Sequence, residues 1–183
     1  MSEIPWKANI SVKMPMGGGQ ETLENPNASY MNGRGFWLFY ILIIVYFHMI
    51  LLAVPVPSFT VPWVWTVTNV MHNIVTFFVL HWTKSTPWLS PTDQGSFRRL
   101  THWEQTDHGI QYTPTRTFLT IIPILLFFLT SFYTEYDSVH FAINFVTLAF
   151  VLIPKHHTFH RVRLFGINKY WKFDYVLWAV YFW

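Results

Sequence analysis

Four apolar stretches, separated by more polar segments, dominate the pattern along the chain. The most apolar of them, residues 36–54, contains no charged side chain. At about 1.5 Å per residue, it reaches roughly the 30 Å thickness of the hydrocarbon core of a bilayer. The other three apolar stretches are residues 61–82, 118–133 and 139–154. The pattern therefore predicts four membrane-spanning helices at about these bounds.

The connectors predict how the four helices are arranged. Only a few residues separate the first span from the second and the third from the fourth, whereas the long polar segment 83–117 lies between the two pairs. Short connectors favour antiparallel neighbours. We therefore predict an all-α membrane protein with two transmembrane hairpins joined by a polar segment. In that segment, Asp93 or Ser96 is expected to cap a short amphipathic helix that ends at Gly109.

The composition supports a membrane protein. Hydrophobic residues make up 52% of the chain and charged residues 11%, against about 25% charged residues in a typical soluble protein. No cysteine is present, which excludes disulfides and thiolate chemistry. Residues 1–24 contain a glycine run and few large aliphatic side chains, so we predict a flexible N-terminal region. That region lacks the apolar core of a cleaved signal peptide, and the first span is expected to remain as an anchor.

The basic residues predict the orientation in the membrane. All 12 Lys and Arg residues fall in the N-terminal region, the central segment or the C-terminal region, and none falls in the two short connectors. With four spans, these three regions lie on one side of the membrane, and the positive-inside rule makes that side cytosolic. The net charge of +3 is therefore a topology signal. It does not indicate a nucleic-acid partner.

A polar stripe follows the second span. Thr66, Asn69, Asn73 and Thr76 recur at intervals of three, four and three, which places them on one face of a helix. Polar groups inside a bilayer are expected to face other helices and to form hydrogen bonds there. Packing against another helix is the favoured explanation, and contact with a ligand or partner through Asn69 and Asn73 is the alternative. His48, alone in the first span, is expected to form a hydrogen bond between helices.

The central segment contains LTHWEQTDHG at residues 100–109, which is rich in ionisable side chains. On a helix, Trp103 shares a face with Leu100 and Asp107, whereas His102 and Glu104 point to other sides. The ionisable groups therefore do not converge as acid–base catalysis requires, and we predict no catalytic residue. The pattern favours an amphipathic segment lying on the membrane or on a partner, with Trp103 as an anchor. Trp103 and Glu104 are the predicted partner-binding residues here.

A histidine cluster, HHTFH at residues 156–160, suggests an alternative function. Imidazole is a good ligand for iron, zinc and copper, and membrane di-iron desaturases and hydroxylases use histidine clusters. That class uses several HxxxH and HxxHH boxes, whereas this chain has one HHxxH and no HxxxH pair. We therefore predict no metal and no other cofactor. A membrane metalloenzyme acting on lipid chains is kept as the alternative.

Six motifs in unbroken order carry a specific resemblance. They are NPNASYMNGRGFWL at residues 25–38, WTVTNVMHN at 65–73, KSTPW at 84–88, LTHWEQTD at 100–107, TSFYTEYD at 130–137 and FGINKY at 165–170. Together they closely resemble the ORMDL/Orm family of endoplasmic reticulum membrane proteins, which bind and restrain serine palmitoyltransferase. The resemblance covers residues 25–170.

The resemblance implies a non-catalytic, ceramide-responsive negative regulator of serine palmitoyltransferase that controls sphingolipid synthesis and homeostasis. It implies a multi-pass domain over residues 25–170 in the endoplasmic reticulum membrane, with both termini cytosolic. The implied partners are the subunits of the palmitoyltransferase, ceramide and membrane lipid. Asn27, the second asparagine of NPN, is the implied ceramide contact because its amide can donate and accept hydrogen bonds, and His102 is a second candidate. Residues 171–183 are predicted to form an aromatic extension lying in the membrane interface.

Overall fold

The computed structural model describes residues 25, 29–33, 35–57, 59–84 and 99–163. No β-strand occurs in these ranges, which confirms the prediction of an all-α protein. Four helices are long and apolar enough to cross a membrane: Phe36–Ala53, Val61–Trp82, Pro114–Tyr133 and Ser138–Lys155. The predicted N-terminal region 1–24 and the extension 171–183 lie outside the described residues. The division into two hairpins and the cytosolic side of the central segment stay predictions.

The first two spans are α1, Phe36–Ala53, and α2, Val61–Phe77, which continues into a π-helical turn over Phe78–Trp82. Proline sets both ends of the connector between them. Val54 adopts an extended conformation at the end of α1 because the next residue is Pro55, whose ring disfavours helical geometry in the residue before it. Pro62 lies in the first turn of α2, where a backbone N–H has no partner within the helix.

The other two spans are α4, Pro114–Tyr133, and α5, Ser138–Leu152; the short helix α3, His102–Gln105, precedes them. α4 begins four residues before the apolar stretch at residue 118, because the Thr113 hydroxyl caps it and accepts from the Arg116 N–H at 3.4 Å. The Asp137 carboxylate caps α5 in the same way and accepts from the N–H groups of Val139 and His140 at 3.0 and 3.1 Å.

α2 is the central helix and packs against α1, α4 and α5. Its buried side chains are mostly polar: Val64, Thr66, Thr68, Asn69, Asn73 and Thr76. α1 lies on the outside and buries none of its residues. The arrangement places the most apolar helix at the periphery and the polar face of α2 at the centre.

A row of hydrogen bonds, the α2–α5 seam, joins the polar stripe of α2 to α5. Its three pairs are Thr66 with His140 at 2.9 Å, Asn69 with Asn144 at 2.8 Å and Asn73 with Thr147 at 3.3 Å. The favoured explanation of the stripe, packing against another helix, is therefore confirmed. The expected interhelical bond of His48 is confirmed too, because His48 Nδ1 lies 2.9 Å from the hydroxyl of Thr68 on α2.

Candidate functional site

The beginnings of α1 and α4, the ends of α2 and α5, and α3 meet at one end of the bundle, which we call the polar end. There Trp37 of α1 stacks on Phe118 of α4 at 4.8 Å, and the His81 ring lies 5.5 Å from the ring of Trp103 in α3. The described basic residues all belong to segments at this end: Lys84, Arg99, Arg116, Lys155, Arg161 and Arg163. Their shared location agrees with the charge pattern of the sequence. The compartment that the polar end faces stays a prediction.

α3 is shorter than expected and is buried on every side. Its four residues begin after Thr101, whose hydroxyl accepts from the Glu104 N–H at 3.4 Å while the Glu104 carboxylate accepts from the Thr101 N–H at 2.9 Å. This reciprocal pair is a capping box. The expected end at Gly109 is confirmed, because a 3₁₀ turn over Thr106–Gly109 follows α3. The expected continuity is wrong, because Thr101 is extended and pairs with Lys84 in an isolated antiparallel bridge, and Asp107 and His108 adopt positive φ values of 51° and 56°. The predicted caps Asp93 and Ser96 lie outside the described residues.

Trp103 contacts two basic side chains in the interior. The guanidinium carbon of Arg116 is 4.8 Å from the centre of the indole ring, and the Lys155 ammonium is 5.8 Å from it. Cations over an aromatic face are attracted by the ring quadrupole, most strongly where water is excluded. Trp103 is only 3% exposed, so its side chain packs in the interior and is not an exposed anchor. Its predicted contact with a partner stays a prediction.

Arg116 ties α4 to the end of α3. Its guanidinium donates to the carbonyls of Trp103 at 2.7 Å and Thr106 at 3.2 Å, and to the side-chain oxygen of Gln111 at 2.9 Å. The last carbonyls of a helix have no partner within it, and a buried helix end requires donors from elsewhere. Arg116 therefore acts as the C-terminal cap of α3.

Lys155 compensates for a proline in α4. Pro123 has no N–H, so the carbonyl of Leu119 lacks its usual helical partner four residues later. The Lys155 ammonium donates to that carbonyl at 2.7 Å. This bond fixes the turn Ile153–Lys155, just after α5, against the second turn of α4 and keeps the buried lysine hydrogen-bonded.

Glu104 holds the segment that follows α5. Arg163 donates two hydrogen bonds to its carboxylate, one of them 2.7 Å from Nη2 to Oε2. Burial alone would raise the pKa of Glu104. The hydrogen bonds from Arg163 and from the Thr101 backbone have the larger combined effect, so the pKa lies below the ordinary 4.5. The carboxylate is therefore charged at neutral pH. Its predicted role in partner binding stays a prediction.

His102, the second predicted ceramide contact, is 1% exposed. Burial lowers the pKa of its imidazole below 6.5, so the ring is neutral at neutral pH. A neutral imidazole offers one donor and one acceptor. This chemistry suits a ligand that carries hydroxyl or amide groups, and the contact itself stays a prediction.

The N-terminal NPN motif reaches α3, although 80 positions separate them in the sequence. The side-chain amide of Asn25 donates to the Gln105 side-chain oxygen at 3.1 Å, and both side chains are buried. Further along the same segment, Met31 accepts a hydrogen bond from Thr106, and Asn32 accepts one from Thr115 at 2.9 Å. Two of the motifs selected from the sequence therefore meet. Asn27, the first predicted ceramide contact, lies outside the described residues.

The histidine cluster does not form a metal centre within the described ranges. His156 and His157 are exposed and their rings lie 4.2 Å apart, whereas the His160 ring faces Gly109. No group of three His, Asp or Glu residues in these ranges is placed to hold a metal ion. The metalloenzyme alternative therefore draws no support from the described geometry.

Some residues of the polar end were missed by sequence reasoning. Arg116 and Lys155 lie just outside the predicted spans 118–133 and 139–154, so the rule that charges within a span need protein partners gave no signal for them. The helices Pro114–Tyr133 and Ser138–Lys155 include both residues. No local signal exists for Gln105 and Arg163 either, because their partners Asn25 and Glu104 lie far away in the sequence. The predicted partner residues Asn69 and Asn73 lie in the α2–α5 seam, apart from α3, and their contact with a partner stays a prediction.

Comparison with known proteins identifies the family. The model of the ORMDL family matches residues 25–163, and the buried pairs described above include both ends of that range, Asn25 and Arg163. ORM1-like protein 2 of Homo sapiens is 55% identical over 146 residues, which cover 80% of this chain and 94% of the relative. With the same coverage, ORM1-like protein 3 of Rattus norvegicus is 57% identical and ORM1-like protein 1 of Danio rerio 54%. The chain belongs to the ORMDL family.

Proposed function

We propose that this chain is a non-catalytic, ceramide-responsive negative regulator of serine palmitoyltransferase that controls sphingolipid synthesis and homeostasis. It acts in the endoplasmic reticulum membrane with both termini and the polar end in the cytosol. Membership in the ORMDL family supports the proposal. The observation that carries it is the buried hydrogen bond between Asn25 and Gln105, which links the segment of the NPN motif to α3.

Ceramide would act through this link. Its hydroxyls and amide match the donors and acceptors of an asparagine side chain at Asn27 and of the neutral His102 imidazole. A ligand shifts a conformational equilibrium only by its differential affinity for the two states, so a preference of a few kcal/mol is sufficient. In this proposal, ceramide holds the N-terminal segment across the substrate entrance of the palmitoyltransferase.

The predicted partner residues have an indirect role in this proposal. Trp103 and Glu104 are buried beside Arg116 and Arg163, so they fix the shape of the polar end that the enzyme subunits would contact. Asn69 and Asn73 fix the position of α5 on α2 through the seam. Replacing any of the four would then weaken inhibition by deforming the contact surface.

The test is serine palmitoyltransferase activity in membranes with and without this protein, over a titration of added ceramide. We expect inhibition that deepens with ceramide and a loss of this response in Asn27→Ala. Asn9→Ala, which removes an asparagine from the same terminal region but outside the NPN motif, is the matched control and should respond normally. A normal ceramide response in Asn27→Ala, equal to that of Asn9→Ala, would exclude Asn27 as the sensor.

Metal analysis tests the alternative function. The regulatory proposal requires no iron or zinc, and the purified protein should contain less than a stoichiometric amount of either. Stoichiometric metal would instead support a membrane metalloenzyme acting on lipid chains.

A further inference from the structure

A cleft at the polar end brings together His81, His160 and Arg161, to which the proposed regulation assigns no role. It has a volume of about 80 Å³ and lies between the end of α2, α3 and the segment after α5. Its ionisable lining residues are His81, Glu104, His160, Arg161 and Arg163. The cleft is therefore polar, although it adjoins two membrane spans.

Two imidazole nitrogens at this cleft lack partners. His81 Nε2 and His160 Nδ1 are both buried, and neither forms a hydrogen bond within the described residues. Buried polar atoms are nearly always hydrogen-bonded, and exceptions point to a bound water, ion or ligand. Both histidines line one cleft, so a group bound there would lie beside both rings.

The charge of the cleft favours an anion. Glu104 is its one described carboxylate, and the ion pair with Arg163 already neutralises it. Arg161 also lines the cleft and forms no hydrogen bond or ion pair within the described ranges, so a positive charge remains. Burial lowers the pKa of His160, the charges of Arg116, Arg161 and Arg163 lower it further, and the charge of Glu104 raises it. These cations create the positive field that an anion would enter.

The backbone at Arg161 supports a functional role. Its φ is 62°, in the left-handed region that non-glycine residues rarely adopt. Strained conformations of this kind persist where the surrounding structure requires them, and they cluster at ligand sites. Here the left-handed residue connects His160 to the segment held by Glu104 and places an arginine at the rim of the cleft.

We propose that this cleft binds a phosphate group, with Arg161 supplying charge and the imidazoles of His81 and His160 supplying hydrogen bonds. The volume of about 80 Å³ is large enough for one tetrahedral oxyanion. The cleft adjoins the ends of the spans Val61–Trp82 and Ser138–Lys155, which places it near the level of lipid headgroups. A phospholipid headgroup and a soluble phosphate ester share this chemistry. The proposal is independent of ceramide sensing.

The test is NMR of the purified full chain with labelled histidines in dodecyl maltoside micelles, which contain no phosphate. One arm adds inorganic phosphate, and the other adds phosphatidic acid to the micelles. We expect the His81 and His160 signals to move and the pKa of His160 to rise, because a bound anion favours the imidazolium. A response to phosphatidic acid alone identifies a lipid headgroup, and a response to phosphate alone identifies a soluble ester. No response in either arm would overturn the proposal and leave a hydrated cleft.

Arg161→Asn separates binding from folding. It removes the cation, while asparagine tolerates the left-handed backbone better than arginine, so thermal stability should be retained. We expect phosphate binding to weaken about tenfold or more, as for the loss of a charged hydrogen bond. Arg99→Asn removes the same charge outside the cleft and should bind normally. An equal loss in both variants would mean general electrostatic attraction and would contradict a specific site. Ceramide-dependent inhibition, measured separately, should be unchanged in both.

Discussion

α1 and α2 are neighbouring spans with opposite surfaces. α1 is the most apolar helix, yet none of its span is buried, whereas 39% of the α2 span is buried and most of those side chains are polar. In a soluble protein, the more apolar helix would be expected inside. In a bilayer, lipid is as apolar as leucine, so an apolar helix gains little from burial and polar groups need protein partners. Polarity therefore specifies which helix is central.

The largest expected effect comes from placing a charged side chain in α1, the helix that buries none of its residues. Ile43 lies near the centre of α1 and is 51% exposed. Ile43→Asp should reduce insertion of α1 by about 3–4 kcal/mol, because an aspartate at the helix centre faces lipid there. Glycosylation mapping in microsomes measures the inserted fraction, with Ile43→Leu as the control. Full insertion of the Asp variant would show that a protein partner, rather than lipid, covers α1.

The second substitution is at the polar end, where a charged side chain is buried. Arg163→Gln leaves the Glu104 carboxylate buried without its cation and should cost about 2 kcal/mol, less than for a fully buried pair because Arg163 is 23% exposed. Thermal unfolding at neutral pH measures the loss, with Arg161→Gln, at an exposed arginine, as the control. A difference between the two variants of less than about 0.5 kcal/mol would contradict a stabilising pair.

The pH dependence of that loss tests its cause. The pKa of Glu104 lies below 4.5 in the folded protein, so the contribution of the pair is fully present above about pH 4.5. It is lost as the pH falls through the folded pKa, where the carboxylate becomes protonated. Arg163→Gln and the natural protein should therefore become equally stable at strongly acidic pH. A difference that persists there would point to packing rather than charge.

A smaller effect is expected in the α2–α5 seam. Asn144 accepts from Asn69 at 2.8 Å and donates to Thr66 at 3.2 Å. Asn144→Leu should destabilise the folded bundle by about 1–2 kcal/mol, since it leaves buried polar groups of α2 without partners. Steric trapping or unfolding in detergent measures the change. Phe145→Leu, on the outward face of the same helix, should remain within about 0.5 kcal/mol of the natural protein.

The smallest expected effect compares two tyrosines within α1. The Tyr40 hydroxyl lies 2.7 Å from His72 Nε2 on α2, whereas Tyr46 is 69% exposed. Tyr40→Phe should cost about 1 kcal/mol and Tyr46→Phe less than about 0.5 kcal/mol. The same unfolding measurement decides between them. Equal costs would mean that the hydroxyl of Tyr46 also has a partner, which would place protein rather than lipid beside α1.

The four spans could be predicted from the sequence because their signals are local. Each is a continuous apolar run, and Pro55 and Pro62 define the connector between α1 and α2. The polar face of α2 could also be predicted from its spacing. The helix that this face packs against could not be predicted, because the spacing within α2 does not show that Asn69 bonds to Asn144 of α5.

The polar end shows why α3 was predicted incorrectly. An isolated reading of residues 100–109 gives a helix with a tryptophan on one face and charged groups elsewhere. The structure buries the whole helix because Arg116 supplies donors to its carbonyls and Arg163 neutralises Glu104. Those partners come from later parts of the chain. A buried charge is hidden from local pattern analysis whenever its partner is distant.

The α2–α5 seam has a consequence for the order of events during synthesis. Asn69 is made 75 residues before Asn144, its hydrogen-bond partner. At a translation rate of about 5–20 residues per second, Asn144 is synthesised roughly 4–15 seconds after Asn69. During this interval, the first two spans exist without the helix that completes them. We therefore expect the polar face of α2 to form temporary contacts with other polar groups until α5 is made.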